Sequence, residues 1–177
     1  PEALDLIGPY LDVFRVDLKG FSKDSYKKIA HVDDFSGILE VTKRAKERWK
    51  MHVEVVTNVI PGMNDREEDL RRLASWICSE LGEDTPWHVT RFFPYLELSH
   101  LQPTPIETLE KTREMGLSQG LNYVYLGNVF GNKEENTFCP NCGQTLIVRE
   151  GLETKEILLS QGKCSFCNQA IPGRFED

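Results

Sequence analysis

Two hydrophobic periodicities alternate along the first 131 residues of the chain. Short runs rich in Val, Phe and Tyr, in which apolar and polar positions partly alternate, predict four β-strands at residues 11–19, 51–60, 87–93 and 121–126. The longer segments between them repeat apolar residues at the spacing of an amphipathic helix. This order of strand and helix predicts an α/β fold in which crossover helices join the strands of a parallel sheet.

Three helices are predicted between the four strands. The first has an apolar face formed by Phe35, Ile38, Leu39, Thr42, Ala45 and Trp49. The second carries an almost unbroken apolar stripe, which consists of Leu70, Leu73, Ala74, Ile77, Cys78 and Leu81. Because Cys78 lies on this stripe, it is interpreted as a small buried apolar residue and not as a ligand or a nucleophile.

Polar residues mark the expected starts of the second and third helices. Asn64 or Asp65, each with an acidic residue three positions further on, can cap the second helix. Thr104, Pro105 and Glu107 have the order of an N-cap, a first-turn proline and a capping-box glutamate. Both helices are therefore predicted to begin with side-chain caps.

Polar residues and glycines also follow the predicted strands, at the edge where parallel α/β folds bind ligands. Asp17 and Lys19 end the first strand and point to the same face, because side chains alternate along a strand. A lone aspartate at such a position is often a helix cap, and Pro-Gly is often a turn. Four strand ends of this kind at one edge nevertheless indicate a ligand cleft, with candidate residues Asp17, Lys19, Asn58, Pro61, Gly62, Arg91, Tyr95 and Asn128.

Charge and hydropathy exclude several functions. The net charge of −7 argues against binding of nucleic acid, which needs clustered Lys and Arg. No apolar run approaches the length of a membrane span and no signal peptide opens the chain, so that a cytoplasmic protein without a membrane partner is expected. The chain begins at Pro1 and without Met, from which a fragment of a longer protein is expected. The histidines lack ligand spacing and are interpreted as surface or packing residues: His31, His52, His88 and His100.

Four of the five cysteines form two Cys-x2-Cys knuckles near the end of the chain, in TFCPNCGQ and KCSFCN. This pairing, with 21 residues between the knuckles, favours metal ligation in a reducing compartment over a disulfide framework. Four equivalent thiolates close a tetrahedron, which favours structural Zn²⁺ over a rubredoxin-like Fe; a redox disulfide needs only one such pair. The predicted metal ligands are Cys139, Cys142, Cys164 and Cys167.

The cysteines are assigned to a small zinc-ribbon-like module at residues 132–177, which follows the first domain at residues 1–131 and opens with the polar linker NKEEN. Cys-Pro-x-Cys-Gly is the turn of zinc ribbons and rubredoxins, in which Gly143 lets the backbone approach the sulfur. Residues 145–148 and 156–159 are predicted to form a hairpin that brings the knuckles together. Since ~40 residues bury too little apolar surface to fold alone, the bound metal is expected to stabilise the folded module.

Four segments of the chain carry a resemblance to a known family: DVFRVDLKGF, HVEVVTNVIPGMND, TPWHVTRFFPYLEL and PTPIETLEKTREMGLSQGLNYVYLGN. Together they resemble the second half of radical SAM enzymes of the pyruvate-formate-lyase-activating-enzyme type, in the branch named for the AmmeMemoRadiSam system, over residues 1–173. The resemblance implies the C-terminal half of a partial (β/α) TIM-like barrel. It also implies S-adenosylmethionine (SAM) and a [4Fe–4S] cluster as cofactors of the full-length enzyme, which cleaves SAM to a 5′-deoxyadenosyl radical for hydrogen abstraction.

The resemblance further implies roles for individual residues. Asp17 and Lys19 match an Asp-x-Lys near the amino-acid moiety of SAM, and Arg91 and Tyr95 match a strand end that faces the cleft. The turn that packs against adenine is matched by Val59, Ile60, Pro61 and Gly62, and Asn58 before it is a further candidate for cofactor binding. This chain departs from the family at Leu96, where classical activating enzymes carry His, and it lacks both the Cys-x3-Cys-x2-Cys cluster motif and the Gly-Gly-Glu stretch of the first half.

Three functional hypotheses follow. In the first, the chain is half of a radical SAM enzyme, and its partners are the missing N-terminal half of the barrel and a protein or small-molecule radical acceptor. Activation of a glycyl-radical enzyme is the best-known task of the wider family, but no residue here specifies it. The alternatives are a non-catalytic zinc-binding interaction fragment and rubredoxin-like electron transfer.

Overall fold

The computed structural model of the protein describes residues 2–151 and 153–173. Its first part contains four strands, β1 (Val13–Asp17), β2 (His52–Val59), β3 (Trp87–Arg91) and β4 (Val124–Gly127). These form one parallel sheet in the order β1-β2-β3-β4. The four predicted strands and their parallel order are thereby confirmed. The sheet is open, with β1 and β4 at its edges within the described residues, so that a closed barrel is not formed.

Five helices accompany the sheet, α1 (Glu2–Ile7), α2 (Lys23–Ala30), α3 (Ser36–Glu47), α4 (Glu67–Trp76) and α5 (Ile106–Ser118). A π-helical turn (Ile77–Leu81) extends α4 as far as Gly82. Helices α3, α4 and α5 pack on one face of the sheet and bury the predicted apolar stripe, except that Cys78 is half-buried and packs against the core. The core contains Ala45, Val53, Val55, Leu70, Leu73, Ile77, Trp87, Val89, Leu109, Val124 and Leu126.

The predicted side-chain caps are wrong. Helix α4 begins after Arg66 and α5 after Pro105, and neither N-cap residue makes a side-chain hydrogen bond. The Asn64 amide and the Thr104 hydroxyl instead bond to backbone groups at the ends of the strands. The polar side chains that the local sequence pattern predicted as helix caps therefore make hydrogen bonds to strand ends instead.

Helices α1 and α2 were missed. Helix α2 starts at Ser22, whose hydroxyl accepts from the Ser25 amide at 3.2 Å, and it buries Tyr26. The Tyr26 ring stacks on Phe35 with centroids 4.5 Å apart, and Phe35 itself is the residue before α3. With six residues in α1 and eight in α2, both helices are too short for a periodic apolar stripe.

The cysteine-bearing segment forms its own small sheets. Strands β5 (Thr137–Phe138), β6 (Thr145–Glu150) and β7 (Glu153–Ile157) are antiparallel, and β8 (Leu159–Ser160) pairs with β9 (Lys163–Cys164). The pairs Ile147–Ile157 and Val148–Glu156 confirm the predicted hairpin. A separate buried cluster contains Cys139, Leu146, Cys164 and Ile171.

Candidate functional site

The structure brings four cysteine sulfurs together. The Sγ atoms of Cys139, Cys142, Cys164 and Cys167 all lie within 4.8 Å of one another. The Cys139–Cys167 and Cys142–Cys164 sulfurs are 3.5 Å and 3.7 Å apart. A tetrahedron with metal–sulfur bonds of ~2.3 Å has sulfurs about 3.8 Å apart, whereas a disulfide needs about 2 Å. The four cysteines therefore form a group that could hold one metal ion.

The two knuckles have equivalent backbone turns. In the first, the amide of Cys139 donates to the Gln144 carbonyl at 2.8 Å, and the amide of Gly143 donates to the Cys139 carbonyl at 2.9 Å. The second repeats both bonds, from Cys164 to Gln169 and from Asn168 to Cys164, with the same lengths. Gly143 and Asn168 have φ angles of +70° and +64°, a conformation that glycine and asparagine adopt most readily. The sequence had identified Gly143 but not Asn168.

The pKa values of two of the four thiols are shifted in opposite directions. A hydrogen bond from Asn141 and one from the Gln169 backbone lower the pKa of Cys167 to about 6. A backbone hydrogen bond from Gln144 lowers the pKa of Cys142, but burial and the other three thiols outweigh it and raise that pKa to about 12. Four thiolates cannot crowd together without a cation, so that metal binding here releases protons.

The carboxyl ends of β1 and β2 are joined by Asn64. Its Nδ2 atom donates to the carbonyls of Lys19 and Asn58, each at 2.9 Å, and its Oδ1 accepts from the Ile60 amide at 2.6 Å. Asp17 and Lys19 form an ion pair of 3.2 Å on the surface next to this junction. Val59 and Ile60 are buried, which leaves Pro61 and Gly62 as the accessible residues of the predicted adenine turn.

The carboxyl end of β3 is tied to the following loop. Arg91 Nε donates to the Thr104 carbonyl at 2.9 Å, and its guanidinium carbon lies 5.0 Å from the centre of the Phe93 ring. Asn128 Nδ2 donates to the Arg91 carbonyl at 3.1 Å, which links this end to that of β4. Tyr95 is exposed on the same loop. The predicted site residues thus lie at one edge of the sheet, on strand ends and following loops that Asn64, Thr104 and Asn128 connect.

The sheet face opposite the helices is polar, and sequence reasoning missed it. The alternating burial of β2 places His52, Glu54 and Asn58 on this face. His52 and His88 Nε2 lie 3.4 Å and 3.2 Å from the two oxygens of Glu54, and the His52 ring and then His88 hold the pKa of Glu54 well below its usual range. His52 and His88, which were interpreted as surface or packing residues, are therefore partners of the Glu54 carboxylate. The alternation of apolar and polar residues along β2 could have indicated this polar face.

Comparison with known proteins finds a curated relative and several solved structures. The chain is 40% identical over 163 residues to the uncharacterized protein MJ0808 of Methanocaldococcus jannaschii. This match covers 91% of the chain and 48% of MJ0808, so that the chain spans about half the length of that relative. No family model matches the chain.

One solved structure is a domain of pyruvate-formate lyase-activating enzyme from Bacteroides vulgatus. It superposes with a TM-score of 0.60 over 72% of this chain and 74% of that chain, at 18% sequence identity. The chain therefore shares its α/β fold with a domain of an activating enzyme.

No helix within residues 2–151 and 153–173 is long and apolar enough to cross a membrane.

Proposed function

We propose that the chain is the C-terminal half of a radical SAM enzyme of the pyruvate-formate-lyase-activating-enzyme type, in the AmmeMemoRadiSam branch. The observation that carries the proposal is the open parallel sheet, with helices on one face and polar side chains on the other, in a fold shared with an activating-enzyme domain. In the proposed full-length enzyme this sheet forms one half of a barrel, and its polar face lies inside. The length of MJ0808, about twice that of the chain, agrees with a missing half.

The predicted cofactor residues fit SAM better than they fit a cluster. Asp17 and Lys19 supply opposite charges for a zwitterionic amino-acid group, and Pro61 and Gly62 offer an accessible turn for a base. When SAM binds beside a [4Fe–4S] cluster, its reductive cleavage supplies a 5′-deoxyadenosyl radical for hydrogen abstraction. This chain lacks Cys-x3-Cys-x2-Cys, and its four knuckle cysteines converge on one point, so that they leave no open iron. The cluster has to come from the other half.

Strand β1 is the edge at which that other half would dock. Within the described residues β1 pairs on one side only, its first residue Val13 is exposed, and the segment before it exposes further apolar side chains at Leu6, Ile7, Tyr10 and Leu11. At the opposite edge, Arg113 Nε donates to the Val124 carbonyl at 3.1 Å, and the turn at Lys133–Glu135 packs on β4. An unpaired, apolar strand edge favours addition of further strands.

The cysteine group is proposed to hold structural Zn²⁺. Two buried and two more accessible thiolates at tetrahedral spacing leave no position for a substrate, which is typical of a structural site. Unpaired thiols also favour a reducing compartment, so that we propose the cytoplasm as the location.

The proposal is tested with the chain joined to an upstream half that carries Cys-x3-Cys-x2-Cys. After anaerobic reconstitution with iron and sulfide, we expect this protein to release 5′-deoxyadenosine from SAM under a strong reductant. Asp17→Ala and Lys19→Ala should reduce the release, whereas Arg71→Ala, at an exposed position on α4, should leave it unchanged. The chain alone should release none.

Two results would contradict the proposal. Robust 5′-deoxyadenosine from the 177-residue chain by itself would show that no second half is needed. A joined protein that binds no [4Fe–4S] cluster would remove the family assignment, and the non-catalytic zinc-binding interaction fragment would then be the better description.

A further inference from the structure

A cleft of about 440 Å³ separates the polar face of the sheet from the cysteine-bearing segment. Its floor includes Glu54, Asp84, Tyr123 and Tyr125, and its roof includes Glu135 and Arg149. This cleft lies apart from the metal-site cysteines, none of which lines it.

The cleft carries an excess of negative charge. Three carboxylates line it, at Glu54, Asp84 and Glu135, together with the guanidinium of Arg149 and the two imidazoles, His52 and His88, that lie against Glu54. That guanidinium is already engaged: its Nη1 donates to Thr137 Oγ1 at 2.8 Å and to the Glu135 carbonyl at 3.1 Å, and its Cζ lies 5.7 Å from the centre of the Tyr125 ring. An anionic ligand would therefore meet repulsion and few available donors.

Tyr123 is a second polar residue in the wall of this cleft. Its side chain is 4% exposed, and its hydroxyl has no hydrogen-bond partner within residues 2–151 and 153–173. Burial and then the nearby Asp84 carboxylate raise the pKa of Tyr123, so that the phenol stays neutral. Asp84 is held in place because its Oδ1 accepts from Asn122 Nδ2 at 2.8 Å. A buried hydroxyl left unpaired is costly, and a ligand that donates a hydrogen bond to it would remove this cost.

We propose that this cleft binds a small organic cation through its ammonium group. Asp84 supplies the counter-charge, and the Tyr123 oxygen accepts one N–H. The alkyl part of the ligand lies along Pro86, Ile147 and Ile171, which also line the cleft.

A metal ion does not fit this cleft as well. Across the described part of the chain, the cysteine group is the one set of three or more His, Cys, Asp or Glu residues whose ligand atoms converge. The His52, Glu54 and His88 atoms pair with one another instead of facing a common centre. An ammonium needs only one carboxylate and one or two acceptors, which Asp84 and Tyr123 provide.

The test compares n-butylammonium with 1-butanol, which has the same alkyl chain without the charge, on the full chain. Binding is followed by NMR chemical shifts of the cleft residues. We expect saturable binding of butylammonium only. Asp84→Asn should weaken it by about tenfold or more, as expected for loss of a charged hydrogen-bond partner. Tyr123→Phe should also weaken it, and Glu83→Gln, which removes the same charge at the exposed neighbouring position, should not.

Three outcomes would overturn the proposal. The first is the absence of saturable binding at millimolar amine, and the second is equal binding of 1-butanol. The third is an equal loss of butylammonium affinity in Asp84→Asn and Glu83→Gln, which would reveal unspecific attraction to an acidic chain. Because Asp84→Asn can disturb the Asn122 contact, its melting temperature is measured alongside. Tyr123→Phe removes a hydroxyl that has no protein partner, and unchanged affinity in that folded variant counts equally against the proposal.

Discussion

The hydroxyl of Thr104 donates a 2.6 Å hydrogen bond to the carbonyl of Val59, 45 residues earlier in the chain. The same oxygen accepts from the Phe92 amide at 2.9 Å, and Thr104 is fully buried. One side chain thus joins the carboxyl ends of β2 and β3, where the proposed SAM cleft begins.

Removal of this hydroxyl should destabilise the protein. Thr104→Val keeps the shape of the side chain but leaves the Phe92 amide and the Val59 carbonyl buried without partners, at a cost of about 1–3 kcal/mol in the free energy of unfolding. Thr104→Ser keeps the oxygen and should lose less. Urea denaturation of the two variants measures the difference, and equal midpoints would mean that the hydroxyl does not join the strands.

The apolar stripe of α4 and its π-helical extension should dominate the stability of the first part. Leu73 and Ile77 are fully buried, and replacement of either by Ala should cost about 2–5 kcal/mol. Leu117 on α5 is 38% exposed, and Leu117→Ala serves as the matched control with a clearly smaller loss. Unfolding of either core variant at the wild-type midpoint would contradict the helix register.

The sequence predicted the features that depend on local pattern. The parallel strands follow from runs of β-formers, the long stripe from Leu70 to Leu81 follows from helical spacing, and the cysteine cluster follows from the paired knuckles. Each of these signals lies within one segment and is reinforced by burial of the same residues.

The predictions that failed concern features that depend on contacts between distant segments. Asn64 and Thr104 looked like caps, because their long-range backbone partners cannot be read from neighbouring residues. The Glu54 contacts with His52 and His88 required the strand register as well as the alternation. Helix α2 is stabilised by burial of Tyr26 against Phe35, a tertiary contact, and its own sequence carries little apolar signal.

Acid should weaken the attachment of α1. The Arg44 guanidinium binds the Asp5 carboxylate through two nitrogens, Trp49 Nε1 donates to it at 3.2 Å, and the pKa of Asp5 is lowered to about 2. Because the folded-state pKa lies below the unfolded value of 3.8, the stabilisation is present above about pH 4 and is lost as the pH falls towards 2.

Asp5→Asn should therefore lower the melting temperature at neutral pH, and its difference from wild type should shrink between about pH 4 and pH 2. Glu2→Gln, which removes another carboxylate of α1, should not reproduce this pH profile. A difference between Asp5→Asn and wild type that stays constant across that range would show that the Arg44 contact does not depend on the charge of Asp5.

Loss of one knuckle cysteine should release the metal and unfold the cysteine-bearing segment, while the four-stranded sheet stays folded. The two parts have separate buried clusters, and Cys139 belongs to the smaller one, whose apolar residues are few. Elemental analysis should find one metal per chain in the wild type and none in Cys139→Ser. Cys78→Ser, at a cysteine outside the cluster, should still hold one.

Hydrogen exchange should show lost protection beyond Gly131 in Cys139→Ser and little change in β1 to β4. A colourless protein indicates Zn²⁺ and a red one Fe, and four freely titrating thiols in a folded, metal-free wild type would contradict the metal site altogether.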